Sequence, residues 1–274
     1  SRIQSEHAQY QDFAILYRTN AQSRAIEEAL RKRNLPYVIY SGNSFFERAE
    51  VKDMMAYFKL VVNLNDDESF KRIVNKPARG IGDTSLTALT AAASNHKVSL
   101  FKAAYSDDLE IFGLKPAAVK KIREFCDMIA KLCLRSTRED AYTVAAAVAM
   151  ESGLLMFYKS DTSIEGQSRT ANVEELLNSV KLFIEEKHGE YVEEMQMEGM
   201  LEDGTELTAP DMPVVTLGDY LENVSLLSAV DLEDDEDSSN KVTLMTVHSS
   251  KGLEFPNVYL AGMEDGLFPS YMTI

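Results

Sequence analysis

Val242-Thr243-Leu244-Met245-Thr246-Val247, running straight into His248-Ser249-Ser250-Lys251-Gly252-Leu253-Glu254-Phe255, is the stretch on which the fold turns. Its first six residues are β-formers without Gly or Pro and read as a strand. A short polar connection containing Gly252 follows, and Asn257-Val258-Tyr259-Leu260-Ala261 then reads as a second strand. Side chains that emerge at the C-terminal edge of a parallel strand face the usual ligand crevice of an α/β sheet. Thr246, His248 and Ser249 are suited to donate to phosphate or to lie beneath a base. Lys251 offers a compact cation for phosphate, Gly252 permits close backbone approach, and Glu254 is placed to accept from a ribose. The same residues also make an ordinary polar strand-to-helix loop with a surface lysine, and composition alone leaves both readings open.

The opposite end of the chain repeats the theme. Phe13-Ala14-Ile15-Leu16-Tyr17 is a continuous apolar run of the kind buried in parallel sheets. Asn20 is expected to cap a helix that carries Ala21, Ala25, Ile26, Ala29 and Leu30 on one face. Asn34 and Pro36 end it, and Tyr37-Val38-Ile39-Tyr40 gives a second strand, completing a βαβ unit.

Between these ends the periodicity is helical. Val51, Met54, Met55, Phe58, Val61 and Val62 recur at three/four spacing, as do Val119, Ile122, Phe125, Cys126 and Ile129, and Val173, Leu176, Leu177, Val180 and Ile184. Such stripes are core-facing. Thr216-Leu217-Gly218-Asp219 has the form of a capping box with Asp in place of Glu. The fold class expected is therefore α/β, a partial parallel sheet assembled from both chain ends, with a large mainly α-helical domain inserted, so that helix predominates overall. The boundaries expected are 1–40 with 239–274 for the discontinuous α/β part and 41–238 for the insertion. Ser41 to Ser44 would lead in and Asp231 to Asn240 lead out.

The chain has 274 residues, 45% of them hydrophobic, enough for one large or two smaller cores. It contains no apolar run long enough to span a membrane. Ser1 replaces an initiator Met, no apolar signal stretch follows, and the chain stops at Ile274 without a polar tail, so a piece of a longer protein is expected. Cys126 and Cys133 are two helical turns apart, too far for a disulfide within a straight helix, and no metal-ligand spacing occurs. A cytoplasmic setting and no metal site are expected. A net charge of -16 argues at first against nucleic acid, but 18 acids and one base lie between Glu185 and Asp237, which leaves the remainder at +1. Lys115 to Arg138 holds seven bases and two acids. The acidic region reads as a solvated surface, or, more sharply, as a stretch that competes with DNA.

There is no Gly-x-x-x-x-Gly-Lys-Ser/Thr and no acidic pair after a hydrophobic strand to hold Mg²⁺, so this chain by itself should not hydrolyse ATP. The segment Met245 to Phe255, with Gly262-Met263-Glu264-Asp265-Gly266-Leu267-Phe268-Pro269 after it, resembles motif V of UvrD/PcrA/Rep-type superfamily 1 DNA helicases. Leu16 to Arg24 resembles the segment ahead of the accessory domain in that family, and Phe45 to Asp53 the start of that domain. Pro77-Ala78-Arg79-Gly80-Ile81-Gly82-Asp83 is similar to its Gly-Ile-Gly element, and Gly166-Gln167-Ser168-Arg169 with Asn172 and Glu175 to a further block. The blocks stand in family order over about residues 13–270. Their spelling is nearer to UvrD and PcrA than to helicase-nuclease subunits of the AddA/RecB kind.

The resemblance implies roles. Arg18, Asn20, Thr246, His248 and Ser249 would touch single-stranded DNA on a second RecA-like domain. Lys251, Gly252 and Glu254 would lie on the nucleotide side, Glu254 near the ribose. Gly80, Ile81, Gly82, Thr84 and Ser85 would meet duplex DNA, a role that also has physical sense, since glycines let a backbone approach phosphate and helix-start amides point at it. The same residues also make a helix-initiating turn, and Arg18 a solvated strand-end arginine. The parent protein would be an ATP-dependent 3′-to-5′ DNA helicase of repair or replication. It would use ATP and Mg²⁺, work on single strand and duplex junctions, and meet repair or replication proteins, with no membrane. The family's P-loop domain, adenine-stacking tyrosine and phosphate-sensing arginine are absent, and the glutamate-rich region after Glu185 departs from the family pattern. A non-catalytic DNA-binding or protein-docking module is the alternative.

Overall fold

The computed structural model describes residues 8–200, 207, 211–230 and 240–264. The chain divides into two compact units, Ser1–Val51 with Asn223–Ile274, and Lys52–Glu222.

In the first unit, strands β1 (Phe13–Tyr17), β2 (Tyr37–Ile39), β3 (Val242–Thr246) and β4 (Asn257–Leu260) form one parallel sheet in the order β2-β3-β1-β4. Helix α1 (Ser23–Arg31) links β1 to β2. The two ends of the chain therefore share a sheet, as the apolar runs predict. β1 and β2 are not neighbours, because β3 lies between them, with Ala14 opposite Thr243 on one side and Val38 opposite Thr243 on the other. Tyr17, Leu30 and Leu244 make the core beneath this sheet, with Ile15, Ile26, Leu35, Tyr37 and Ile39 against it.

The start of α1 differs from expectation. Asn20 does not cap the helix; it opens a 3₁₀ turn, Asn20–Gln22, that precedes Ser23. The side-chain carbonyl of Gln22 reaches back to accept from the backbone N–H of Arg18 and of Thr19, each at 2.9 Å. These amides lie ahead of the turn, and the residue at its N-cap is Thr19, one position before Asn20. The helix ends at Arg31, and the turn that follows closes at Asn34, as read, with a left-handed φ of 51°.

Glu27 on α1 is 1% exposed and gathers the polar groups around it. Its carboxylate accepts from Ser23 Oγ (2.7 Å), Ser44 Oγ (2.5 Å), Tyr37 Oη (3.3 Å) and the Phe45 amide (3.1 Å). Ser44 in turn accepts from Arg31 Nη2 at 3.1 Å, and Ser23 from Arg48 Nη2 at 2.7 Å. Two guanidiniums thus neutralise one buried carboxylate through two hydroxyl relays, as a buried charge requires. Residues 44–48, which composition groups with the insertion, are held to the α/β unit by this network.

Helix α2 (Ala49–Val62) carries the first predicted stripe, with Val51, Met54, Phe58 and Val61 wholly buried; the division between units falls within it. In the second unit α2 is followed by α3 (Asp67–Ile73), α4 (Asp83–His96), α5 (Leu100–Ala103), α6 (Pro116–Ser136), α7 (Ala141–Glu151), α8 (Leu154–Lys159) and α9 (Ile164–Met197); the second division between units falls within α10 (Leu217–Val230). An aromatic cluster centres the unit, Phe125 edge-on to Tyr57 at 6.4 Å and to Phe70 at 5.5 Å. Burial of each such ring is worth on the order of 2 kcal/mol. The box before α10 forms as predicted, with Thr216 N–H donating to Asp219 (2.7 Å) and Asp219 N–H to Thr216 Oγ1 (3.2 Å).

The starts of α4 and α6 share one construction. Gly80 (φ 71°) precedes buried Ile81 and the extended cap Gly82; Gly113 (φ 92°) precedes buried Leu114 and the extended cap Lys115. The glycine supplies the left-handed turn and the aliphatic residue pins it to the core. Cys126 and Cys133 are both on α6 and both free, and burial pushes the Cys126 thiol up to about 12. Of the acidic region, Glu185, Glu186, Glu190, Glu193, Glu194 and Glu198 are exposed along and just past α9. Its remainder at 201–206, 208–210 and 231–239, and the family-like Asp265 to Pro269, lie outside the described residues.

Replacing Glu27 by Ala should destabilise the protein by about 3–5 kcal/mol, because two arginines and four donors lose their common acceptor. Urea denaturation followed by circular dichroism measures it; an unchanged midpoint would show that water replaces these bonds without cost.

Candidate nucleic-acid interface

β1 and β3 run side by side in the same direction, with Tyr17 opposite Thr246 and the Val247 amide donating to Tyr17 O at 2.9 Å. Both strands therefore end at one sheet edge. Arg18, Thr19 and Asn20 leave from one, and Val247, His248 and Ser249 from the other. The structure thus brings together the five residues read as single-strand contacts, Arg18, Asn20, Thr246, His248 and Ser249. Arg18, Asn20 and His248 are exposed. Thr246 and Ser249 are half-buried and occupied with each other: the Ser249 amide donates to Thr246 Oγ1 at 3.1 Å, and the two hydroxyls are 2.9 Å apart. Their first role is to shape the turn that carries His248.

Two residues that motif reading passed over organise this edge. Gln22 fixes the backbone at Arg18 and Thr19, as described above. Arg48 donates through Nη1 to the carbonyl of Asn20 at 2.8 Å, and burial depresses its pKa while nearby Glu27 opposes that shift. No local spacing announces Arg48, because the contact joins positions 28 residues apart.

Lys251, Gly252 and Glu254 occupy a different place. β3 and β4 flank β1 and are both parallel to it, so residues 247–256 must travel from the C-terminal edge of β3 back to the level where Asn257 pairs with Phe13. A crossover of this kind usually contains a helix; here it is a series of turns. Lys251, Gly252 and Glu254 are exposed on it, Gly252 with φ 87° and no atom within 4 Å of the place a Cβ would take.

In the helical unit the Gly80 to Ser85 element is held from behind by Asn75 and Arg79. Asn75 Oδ1 accepts from the amides of Arg79 (2.8 Å) and Ile81 (3.1 Å). The Arg79 guanidinium lies over the Phe125 ring and donates to the carbonyls of Ile73 (3.2 Å), Val74 (3.4 Å), Pro77 (3.2 Å) and Ser152 (2.8 Å) and to Tyr57 Oη (2.7 Å). The Tyr57 hydroxyl donates in turn to the Lys76 carbonyl at 2.6 Å, and burial pushes the phenol up to about 12 although Arg79 pulls the other way. Arg79, within the family-like block, thus acts as a brace. Ile81 is 2% exposed and is the anchor of the turn, whereas Gly82 and Thr84 are exposed and Ser85 is half-buried. Ser85 N–H closes on Gly82 O at 3.0 Å. Lys121 Nζ lies over Gly80, 2.5 Å from where a Cβ would be.

Among the described residues no group of His, Cys, Asp and Glu could hold a metal ion, and no helix is long and apolar enough to cross a membrane. The UvrD-like helicase C-terminal domain family matches residues 1–274, and the chain belongs to it. Among curated proteins it is 38% identical over 97% of its length to the ATP-dependent DNA helicase PcrA of Leuconostoc citreum. It is 34% identical over 97% to the protein of that name in Staphylococcus aureus, and 36% identical over 95% to DNA helicase II of Escherichia coli. The chain spans about a third of the length of these relatives.

Tyr57→Phe should cost about 1–3 kcal/mol near neutrality, since Arg79 and the Lys76 carbonyl lose a buried partner. The folded phenol titrates above its ordinary value of 10.0, so its contribution is whole below pH 10 and drains away as pH rises through about 12. Urea midpoints of the two proteins should therefore converge at alkaline pH; a constant gap would contradict the assignment.

Proposed function

We propose that the chain is the accessory-domain-bearing part of the second RecA-like domain of an ATP-dependent 3′-to-5′ DNA helicase or translocase acting in repair or replication. The observation that carries the reading is the gathering of Arg18, Asn20, Thr246, His248 and Ser249 at one edge of a parallel sheet. Cationic, amide and imidazole groups on adjacent strand ends suit a single strand laid across them, with phosphates on the cation and bases stacked or hydrogen-bonded. The discontinuous α/β unit is the RecA-like part and the helical unit the inserted accessory domain, with residues 80–85 gripping duplex. The relatives' names support ATP dependence and action on DNA.

The nucleotide fits this chain as one wall only. Lys251 and Glu254 are exposed and suited to a phosphate and a ribose, but the chain carries neither a phosphate-cradling loop nor an acidic pair for Mg²⁺. ATP with Mg²⁺ would supply the closing force in the parent protein; the residues here would position and sense the nucleotide, while hydrolysis requires the P-loop of a partner domain. The chain alone is expected not to turn over ATP, and its setting is expected to be the cytoplasm. Repair or replication proteins are the expected partners.

The duplex contact is tested most cleanly at Gly82. Its φ is -84° and nothing lies within 4 Å of the added Cβ, so Gly82→Asp introduces a good helix cap as well as a negative charge. Fluorescence anisotropy with labelled duplex and single strand should show duplex binding lost by at least tenfold in this variant and single-strand binding retained. Arg18→Ala combined with His248→Ala should do the reverse. If the unsubstituted chain binds neither DNA form at low salt and instead captures a protein partner, the docking-module alternative replaces this reading.

A further inference from the structure

We propose that Lys121 on α6 is the phosphate-neutralising cation of the Gly80 to Ser85 turn. This rests on the duplex-contact reading above and adds to it a residue outside the family-like blocks. The Lys121 side chain lies across Gly80, Nζ at 2.5 Å and Cε at 3.8 Å from the position a Cβ would occupy. Gly80 is required by its left-handed φ of 71°, and the end of the flexible, exposed Lys121 side chain rests over that turn.

The charge of that ammonium is not spent elsewhere. The adjacent Lys120 faces Glu124 at 3.9 Å, and Arg123 donates to the carbonyls of Ala104 and Ser106 at 3.0 Å each. Lys71, Arg72 and Lys76, which precede the turn in the chain, are paired with Glu68 or Asp53. Lys121 is exposed, and no ion pair to an acid is found for it among the described residues. The turn itself presents Asp83, an exposed carboxylate in the first turn of α4. Backbone amides beside a carboxylate offer an approaching phosphate little net attraction. A point cation over the same turn reverses the balance, and a lysine, compact and strongly hydrated, suits a contact that must slide along phosphates.

The test measures duplex and single-strand binding of the whole chain by anisotropy across a salt series, for Lys121→Gln, Lys121→Arg, Lys120→Gln and Gly82→Asp. Loss of one phosphate contact should make the slope of log K against log salt shallower by about 0.9 for duplex. Lys121→Gln should show this with several-fold weaker duplex binding, unchanged single-strand binding and an unchanged melting temperature; Lys121→Arg should restore the slope. A wild-type slope in Lys121→Gln while Gly82→Asp loses duplex binding would overturn the role of Lys121 and leave the turn's role standing. An equal loss of slope in Lys120→Gln would overturn it too, as the mark of diffuse surface charge. Intact duplex binding in Gly82→Asp would remove the duplex reading itself, and this inference with it.

Discussion

Strand β3 lies between β1 and β2, and everything at the sheet edge depends on that placement. β2 and β3 are separated by roughly 200 residues of chain, so the sheet forms only when the far end returns to it, and the closure entropy of that long excursion must be met by contacts within it and around it. The excursion is largely self-sufficient, with an aromatic centre of its own. The reward of the closure is functional as well as energetic. A parallel neighbour places Val247 beside Tyr17, and so puts His248 and Arg18, from opposite ends of the sequence, on one edge.

The strands and the long helices were legible because each is a matter of apolar pattern. Four short apolar runs became four strands, and the three/four stripes at Val51, Ile122 and Val173 became the buried faces of α2, α6 and α9. What escaped the sequence depends on a side chain reaching across space or backwards along the chain. Asn20 has the composition of a cap, but Thr19 stands at the N-cap of a 3₁₀ turn, Gln22 reaches back to its amide, and the α-helix starts only at Ser23. Ser41 to Ser44 has the composition of a linker, yet Ser44 and Phe45 are tied to a buried carboxylate on α1. Arg79 stands in a recognisable block with nothing to distinguish a brace from a ligand until its five acceptors are seen. Family pattern names positions, and only geometry separates those that face a ligand from those that hold others in place. Ile81 and Thr246 both belong more to the second group than their motif membership suggests.

Charge gives a similar lesson. A chain of net charge -16 is a poor candidate for a DNA partner if charge is taken as a single number. At physiological salt, exposed charges act over about 8 Å, so a phosphate responds chiefly to the charges within that reach and not to the net charge of the chain. The exposed glutamates of α9 and the basic stretch Lys115 to Arg138 are then separate facts. Within that basic stretch pairing decides further. Arg135 is consumed by Glu139 and Glu151, and Arg123 by two carbonyls. Counting bases overstates the positive surface; asking which cations remain without an acid locates it.

Three glycines mark how differently the two units would meet their ligands. Gly80 and Gly252 both adopt left-handed φ, but Gly80 is crowded by Lys121 while Gly252 has empty space around it. On the proposed reading the first would belong to a surface complete within this unit, turn and cation together. An open one, on a crossover whose Lys251 and Glu254 project outward, suits a surface that a second domain finishes. Gly82 stands between these cases, open yet capping a helix, and can therefore be changed without disturbing its turn. If the proposed function holds, the division has a physical reason: a grip on duplex could be built by one rigid unit, whereas a nucleotide that drives closure would have to be shared between two bodies, since a ligand bound wholly by one of them has no differential affinity with which to move the other.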